Sequence, residues 1–315
     1  MVWFVAMTLC VFPVALADTL RQGKFEITYE SRDAAYATEA LTLLAEAADE
    51  FAMRLPMGNA PVFVHICSTH AAFSKFAGPF AEPAVAAVAL PEASIIAVKT
   101  RDLIGGPSDF DGTLRHEFVH VLIHRNFAPG SIPRWLNEGI CMMLAREQRW
   151  NAAYQLGMMY WYNRLLPLNS LELAFLEPGK EMAFGDAYAQ ALSMTEFLHN
   201  QLGDDTFWAM VKDLETTPFD MSLLRHGNLT LAQFYEDWRA TLRGFAVLLS
   251  IVSGFSVFHL MVILAVFAYI RKRRKGRRLL AAWREEEAEP EAIRLPWDYE
   301  TASEDEPWRA DDDDR

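Results

Sequence analysis

Residues 110–146 read FDGTLRHEFVHVLIHRNFAPGSIPRWLNEGICMMLAR, which contains two helical patterns separated by a short turn. The first helix is expected to begin near Asp111 or Thr113, both good N-cap residues, and to end near Asn126. Ala-Pro-Gly then interrupts the pattern. Ser131 is expected to cap the second helix, which has a proline in its first turn and runs to the end of this stretch.

The first of these helices carries the pattern H-E-x-x-H, from His116 to His120. Four residues advance an α-helix by about 400°, so the two imidazoles lie about 40° apart in bearing and one turn apart in height. Both can therefore reach one zinc ion at about 2.0–2.1 Å. Glu117 lies beside them, where it can act as a base toward water activated by the metal. The alternative is that the histidines are core residues with ordinary hydrogen-bond partners.

A third ligand is expected from the second helix, because a catalytic zinc ion takes three protein ligands and keeps one position open. Glu138, in Trp-Leu-Asn-Glu-Gly, lies on that helix, which the Pro-Gly turn allows to pack antiparallel to the first. His124 continues the histidine series, but it lies about 5.4 Å further along the axis than His120, so one ion could not easily bind both of them and His116. Glu147 lies further along the second helix and lacks a comparable context.

The motifs H-E-x-x-H and W-L-x-E-G resemble those of the gluzincin zinc metallopeptidases, most closely those of the small bacterial peptidase MA-like domains. The resemblance covers about residues 25–214. It implies a thermolysin-like core, one zinc ion held by the two motif histidines and Glu138, and hydrolysis of peptide bonds with Glu117 as general base. A metzincin would instead need glycine and histidine where this chain has Ile123 and Asn126.

Three further features refine this resemblance. Tyr188 is the candidate donor to a developing oxyanion, since similar gluzincins carry a tyrosine in a Y-x-x-[GA] helix; a packing role beside Phe184 and Tyr160 is the alternative. Met142 stands where thermolysin-like members have an aspartate that orients a zinc histidine, so that partner must come from elsewhere. The G-x-M-E-N sequence of aminopeptidases in this clan is not found, which favours an endopeptidase.

The N-terminal half predicts strands and one long helix. Apolar alternation and β-branched residues indicate strands over residues 25–29, 61–67, 84–90 and 94–98, and helical periodicity indicates a helix over 33–55. Strands come first and helices follow, so the expected fold is α+β with a small mixed or antiparallel sheet. The runs 84–90 and 94–98 suit a hairpin or edge pair; such an edge could bind an extended peptide, or both could be ordinary core strands.

Two apolar segments suggest targeting to a membrane. Residues 1–17 resemble a secretory signal that ends in the small-x-small pattern Ala-Leu-Ala; an uncleaved anchor or a late start codon are the alternatives, because no basic residue precedes the apolar run. Residues 245–270 carry no Asp, Glu, Lys or Arg and are long enough to cross the about 30 Å of a bilayer. Seven Lys or Arg residues, all between 271 and 278, place the following flank in the cytoplasm.

These segments predict a single-pass protein of the cytoplasmic (inner) membrane. Residues 18–244 would form a peptidase domain outside the cytoplasm, and residues 271–315 would form a disordered cytoplasmic tail, first basic and then acidic. The expected partners are a peptide or protein substrate and the lipid bilayer. The net charge of −13 argues against nucleic acid as a partner.

Two questions remain open at this level. Cys67 and Cys141 could form a disulfide in an oxidising compartment, or they could be two buried thiols. The chain could also be a catalytically inactive scaffold or signalling protein that keeps the gluzincin fold. The completeness of the ligand set together with Glu117 favours the enzyme.

Overall fold

The computed structural model describes residues 17–78, 83, 85–104, 109–146, 149–175 and 181–288. Within them the chain divides into two compact units at Ile251. The strands are β1 (Ala17–Gln22), β2 (Phe25–Glu30), β3 (Val62–Cys67), β4 (Ala87–Leu90) and β5 (Ile95–Lys99). The helices are α1 (Ala34–Phe51), α2 (His70–Ala77), α3 (Arg101–Ile104), α4 (Phe110–Asn126), α5 (Arg134–Ala145), α6 (Arg149–Trp161), α7 (Leu168–Ala174), α8 (Glu181–Leu202), α9 (Asp204–Asp213), α10 (Phe219–Gly227) and α11 (Leu231–Ala288).

The five strands form one mixed sheet in the order β1-β2-β3-β5-β4. The three inner strands are parallel to one another, and β1 and β4 pair antiparallel at the two edges. Because successive side chains point to opposite faces, the sheet has two cores. Val62 and Val64 join the large core with α1 and α4. Cys67 and Ala97 join a small core with Phe73 of α2, so α2 covers the other face.

The sequence predicts one of the two edge strands, β4, but not the other, β1. The runs 84–90 and 94–98 correspond to β4 and β5, which pair antiparallel around the short helical turn Pro91–Ala93. The pairing of β1 with β2 was not predicted. Gly23 has a φ of 58° in the two-residue turn between these strands, which is a hairpin signal that the sequence analysis overlooked.

The beginning of α5 departs from the prediction. Ser131 does not cap this helix, which starts at Arg134. Instead the carboxylate of Glu172, on α7, accepts from the backbone N–H groups of Arg134 at 2.9 Å and Trp135 at 3.3 Å. A carboxylate at a helix N-terminus satisfies unpaired donors and is favoured by the helix dipole. Here it comes from a distant segment of the chain, which local sequence cannot indicate.

The beginning of α4 lies slightly earlier than predicted. Asp109 is the N-cap, and its carboxylate accepts from the N–H of Gly112 at 2.9 Å. The helix then runs to Asn126, as expected. The sequence Thr230-Leu231-Ala232-Gln233 predicts a capping box, and the structure confirms it, because the backbone N–H groups of Thr230 and Gln233 each donate to the other residue's side chain.

The α+β class agrees with the structure, but the transmembrane helix predicted over residues 245–270 is wrong. Among the residues that the structure describes, no helix combines the length and the apolar character that crossing a bilayer requires.

The predicted terminal segments are described only in part. Residues 271–288, which the sequence assigns to a disordered tail, continue α11 as a helix. Residues 289–315 lie outside the described residues. The same is true of residues 1–16, which make up almost all of the predicted signal; Ala17 begins β1.

Candidate metal centre

The site is built where α4 and α5 pack against each other. Arg115, near the start of α4, donates to the backbone oxygen of Leu144, near the end of α5, whereas His120, further along α4, approaches Asn137, near the start of α5. The two helices are therefore antiparallel, and both His116 and His120 approach Glu138. Gly139 permits α5 to approach α8 on its other side. A Cβ at this position would lie 2.0 Å from Oγ1 of Thr195 and 2.7 Å from the backbone oxygen of Ala191, and the backbone oxygen cannot move aside cheaply.

Three predicted ligands bring one donor atom each to a common point. Nε2 of His116 lies 3.1 Å from Nε2 of His120, and Oε2 of Glu138 lies 3.4 Å and 3.5 Å from these two nitrogens. Donors around a tetrahedral zinc ion at about 2.0–2.1 Å are separated by about 3.3–3.4 Å. The three observed separations are close to this value, so these residues could hold one metal ion.

One carboxylate oxygen of Glu138 is buried without a hydrogen bond. This oxygen is Oε2, and both imidazole nitrogens lie at the edge of the hydrogen-bonding range from it. Burial alone would raise the pKa of Glu138, but the imidazoles outweigh it and hold the pKa well below its usual range. Burial lowers the pKa of His120, and the Glu138 charge outweighs it, so this pKa is raised. A buried anionic oxygen without a hydrogen bond suits a bound cation.

Glu117 lies next to this cluster and touches the edge of the sheet. Burial raises its pKa above the ordinary value, although the two histidines oppose this shift. The backbone N–H of Ala89, on β4, donates to its carboxylate. The N–H of Lys99 bonds to the oxygen of Ala86, and antiparallel pairing alternates, so Ala87 and Ala89 direct their backbone groups away from β5. The outward edge of β4 thus reaches the proposed base.

Tyr188 lies at the border of the site. Its ring centroid is 6.5 Å from that of His116, and it makes an edge contact with Phe175 at 5.2 Å. This position tests neither of the roles considered for the tyrosine, and its role as oxyanion donor stays a prediction. Of the two rival ligands, His124 lines a cavity at the end of α4, and Glu147 lies outside the described residues.

The partner that orients His120 is Asn137, which the sequence analysis missed. Oδ1 of Asn137 lies 2.9 Å from Nδ1 of His120. An amide oxygen only accepts, so Nδ1 donates to it, and Nε2 is left to face Glu138 and the common point of the three donors. Such contacts fix the orientation of metal-binding histidines. The available signal was the asparagine directly before the predicted glutamate ligand.

Cys141 makes a second contact with the same nitrogen. Its Sγ lies 3.3 Å from Nδ1 of His120 and 3.6 Å from Oδ1 of Asn137. One donor atom each from His116, His120 and Cys141 also falls within 4.8 Å, which makes this set a second possible metal group. However, Nδ1 and Nε2 point to different sides of the ring, so an ion between the two Nε2 atoms would not reach this sulfur. Glu138 is therefore the better third ligand.

The open question about the two cysteines has a clear answer. Cys67 lies on β3 and Cys141 lies on α5, and both are buried thiols that form no disulfide.

Comparison of the chain with models of known protein families and with curated protein sequences gave no match. The gluzincin resemblance therefore depends on the two motifs alone, and the proposed chemistry on the geometry of His116, His120, Glu138 and Glu117.

Proposed function

We propose that this protein is a zinc-dependent peptidase in which His116, His120 and Glu138 bind the metal and Glu117 is the general base. The observation that carries the proposal is the convergence of three donor atoms, 3.1–3.5 Å apart, one of which is a buried carboxylate oxygen without a hydrogen bond. Two imidazoles and one carboxylate are the donor set of many catalytic zinc sites, whereas calcium and magnesium prefer oxygen ligands.

Each residue of the candidate site would have its own role in hydrolysis. Zinc, when bound, would polarise the scissile carbonyl and make water a better nucleophile. Glu117 would accept a proton from the attacking water and pass it to the departing amine. Burial, by raising the pKa of Glu117, suits a group that must hold a proton between these two events. Asn137 would keep His120 oriented, and Tyr188 would donate to the oxyanion.

The edge of β4 supports a peptide as the substrate. Ala87 and Ala89 direct their backbone groups outward, and an extended peptide can pair with such an edge. A peptide bound there would compete with Glu117 for the N–H of Ala89 and so place its own backbone beside the base. Because an edge strand can bind an extended segment anywhere along a substrate chain, cleavage within the chain by an endopeptidase is favoured. Action outside the cytoplasm depends on the predicted signal in residues 1–17.

The test compares metal content and hydrolysis in the full chain and its Glu117→Gln variant. The protein is stripped with a chelator, reloaded with zinc, and assayed against a library of quenched fluorescent peptides. We expect one zinc ion per chain in both proteins and a loss of activity of about 10²–10⁴-fold in the variant. Glu236→Gln, at an exposed position on α11, is the matched control and should retain full activity.

Two outcomes would contradict the proposal. Equal activity in the wild type and the Glu117→Gln variant would remove Glu117 from the mechanism. Stoichiometric zinc without hydrolysis of any peptide would favour the inactive scaffold.

A further inference from the structure

A basic segment, residues 271–278, lies on α11 and contains seven Lys or Arg residues, all of them exposed. No Asp or Glu occurs between residues 267 and 282, so none of the seven has an acidic neighbour three or four positions away, where ion pairs within a helix form. Among the residues that the structure describes, no acidic side chain forms an ion pair with any of them. The positive charge of this segment is therefore not neutralised by the helix that carries it.

Helical spacing gathers part of this charge on one face of α11. Residues three or four positions apart lie on the same face, and like charges at this spacing repel each other and weaken the helix. One surface groove, called here the basic groove, is lined by Phe267, Ile270, Arg271, Arg274, Lys275 and Arg278. Four of these six residues are cations, and the other two make one end of the groove apolar. The groove therefore favours an anionic partner that also has apolar side chains.

The same chain contains an acidic segment with these properties. Residues 298–314 include nine Asp or Glu residues and one Arg, which gives a formal charge of −8 against +7 for the basic segment. Tyr299 and Trp308 add aromatic rings, which can contact the apolar end of the groove or stack on guanidinium groups. The two segments are thus complementary in charge and in side-chain type.

Covalent geometry allows the acidic segment to reach the whole basic groove. Arg271 lies 17 residues before the end of α11 at Ala288, about 26 Å along the axis at 1.5 Å per residue. Ten residues lead from Ala288 to Asp298, and ten residues can span up to about 33–36 Å. Attachment to the same chain also gives the acidic segment a local concentration of about 1 mM, an advantage over anions in solution.

We propose that residues 298–314 bind the basic groove of their own chain and neutralise residues 271–278. Each exposed ion pair contributes little and is screened by salt, so the contact depends on many pairs at once. An anion from solution must displace the acidic segment to reach the groove, which makes the contact autoinhibitory. The inference is independent of the proposed peptidase function.

The test uses a zero-length cross-linker on the full chain. A carbodiimide joins an amine to a carboxylate only where the two groups touch, and Lys272 and Lys275 supply amines within the basic segment. Cross-linked peptides are identified by mass spectrometry. We expect cross-links from these lysines to residues 298–314 at about 20 mM sodium chloride, and at least about 10-fold fewer at about 500 mM, where screening is stronger. Lys212, exposed on α9, is the internal control and should form none to residues 298–314.

Two variants separate the role of charge from that of the arginine side chains. Both keep Lys272 and Lys275. The first removes the charge of the other five cations through Arg271→Gln, Arg273→Gln, Arg274→Gln, Arg277→Gln and Arg278→Gln. The second, its matched control, carries lysine at the same five positions and keeps the charge. Cross-links from Lys272 and Lys275 to the acidic segment should fall about 10-fold in the glutamine variant and persist in the lysine variant.

Three outcomes would overturn the proposal. The first is the absence of cross-links from Lys272 and Lys275 to residues 298–314 at low salt. The second is equal cross-linking in the glutamine and lysine variants. The third is cross-linking mostly between different chains, which a mixture of unlabelled and ¹⁵N-labelled protein would reveal. If the first outcome is accompanied by binding of the full chain to phosphatidylserine vesicles but not to phosphatidylcholine vesicles, the groove binds an anionic lipid headgroup instead.

Discussion

Two clusters of polar side chains are buried on opposite faces of the sheet, and they differ in the bonding partners of their charged groups. On the α4 face, His116, His120 and Glu138 direct donor atoms at one point, and Oε2 of Glu138 makes no hydrogen bond. On the α2 face, Lys99 is fully buried, donates to the oxygen of Pro83 at 3.1 Å, and lies 4.6 Å from the centroid of a phenylalanine ring.

The difference between these clusters shows how a candidate functional site can be distinguished from a buried structural cluster. Both contain buried ionisable groups, so burial alone does not distinguish them. The ammonium of Lys99 has a carbonyl acceptor and an aromatic ring within its own surroundings. The carboxylate of Glu138 has a buried oxygen without a hydrogen bond, and a cation between the three donors would satisfy it. We therefore assign chemistry to the first cluster and a structural role to the second.

The largest effect is expected from removing the proposed ligand. Glu138→Gln should lower zinc affinity by more than 100-fold, because loss of an outer-sphere partner already costs about 10–100-fold and this residue would bind the ion directly. Competition with a chromophoric chelator measures the affinity. Lys99→Met is the control from the other cluster and should leave zinc affinity unchanged. An equal loss in both variants would mean that the two clusters do not differ as described.

The thiol of the α2 cluster should be almost inert. Cys67 is 2% exposed, and this burial raises its pKa to about 11. At pH 8 its thiolate fraction is then about 100-fold lower than that of a thiol with the ordinary pKa of 9.0. Alkylation by iodoacetamide, followed by mass spectrometry, should be at least this much slower in the native protein than in guanidinium. Similar alkylation rates in the native protein and in guanidinium would show that Cys67 is not buried in this way.

A smaller effect on the metal centre is expected at Asn137. Replacing it with alanine removes the acceptor for Nδ1 of His120, and zinc affinity should fall about 10–100-fold. Asn137→Asp keeps an acceptor oxygen at the same place and should restore most of the affinity. If the aspartate variant binds zinc as weakly as the alanine variant, the hydrogen bond at 2.9 Å does not orient His120.

The smallest effect concerns the packing of the helix that carries Glu138. Gly139→Ala should lower the free energy of unfolding by about 1–3 kcal/mol, because the added Cβ meets Thr195 and the backbone of α8. Gly244→Ala, where a Cβ meets nothing within 4 Å, should instead raise it by up to about 1 kcal/mol through helix propensity. Chemical denaturation measures both. Equal effects would show that α5 and α8 are not closely packed at this position.

Predictions made from neighbouring residues agreed with the structure best. The spacing of His116 and His120 places them on one helical face, and the capping box at Thr230 needs only the residues of its own turn. The transmembrane prediction over residues 245–270 is the exception, because among the described residues no helix is both long enough and apolar enough to cross a bilayer.

The i, i+4 histidine pair followed from sequence alone, because α-helix geometry relates those two positions whatever surrounds them. The approach of Glu138, the support of Asn137 and Cys141 behind His120, and the contact between β4 and Glu117 depend on how separate elements pack. Glycine at 139, which lets α5 approach α8, and the Glu172 carboxylate at the start of α5 help to determine that packing. Contacts between segments distant in the chain have no fixed spacing in sequence, so they emerge only when the chain has folded.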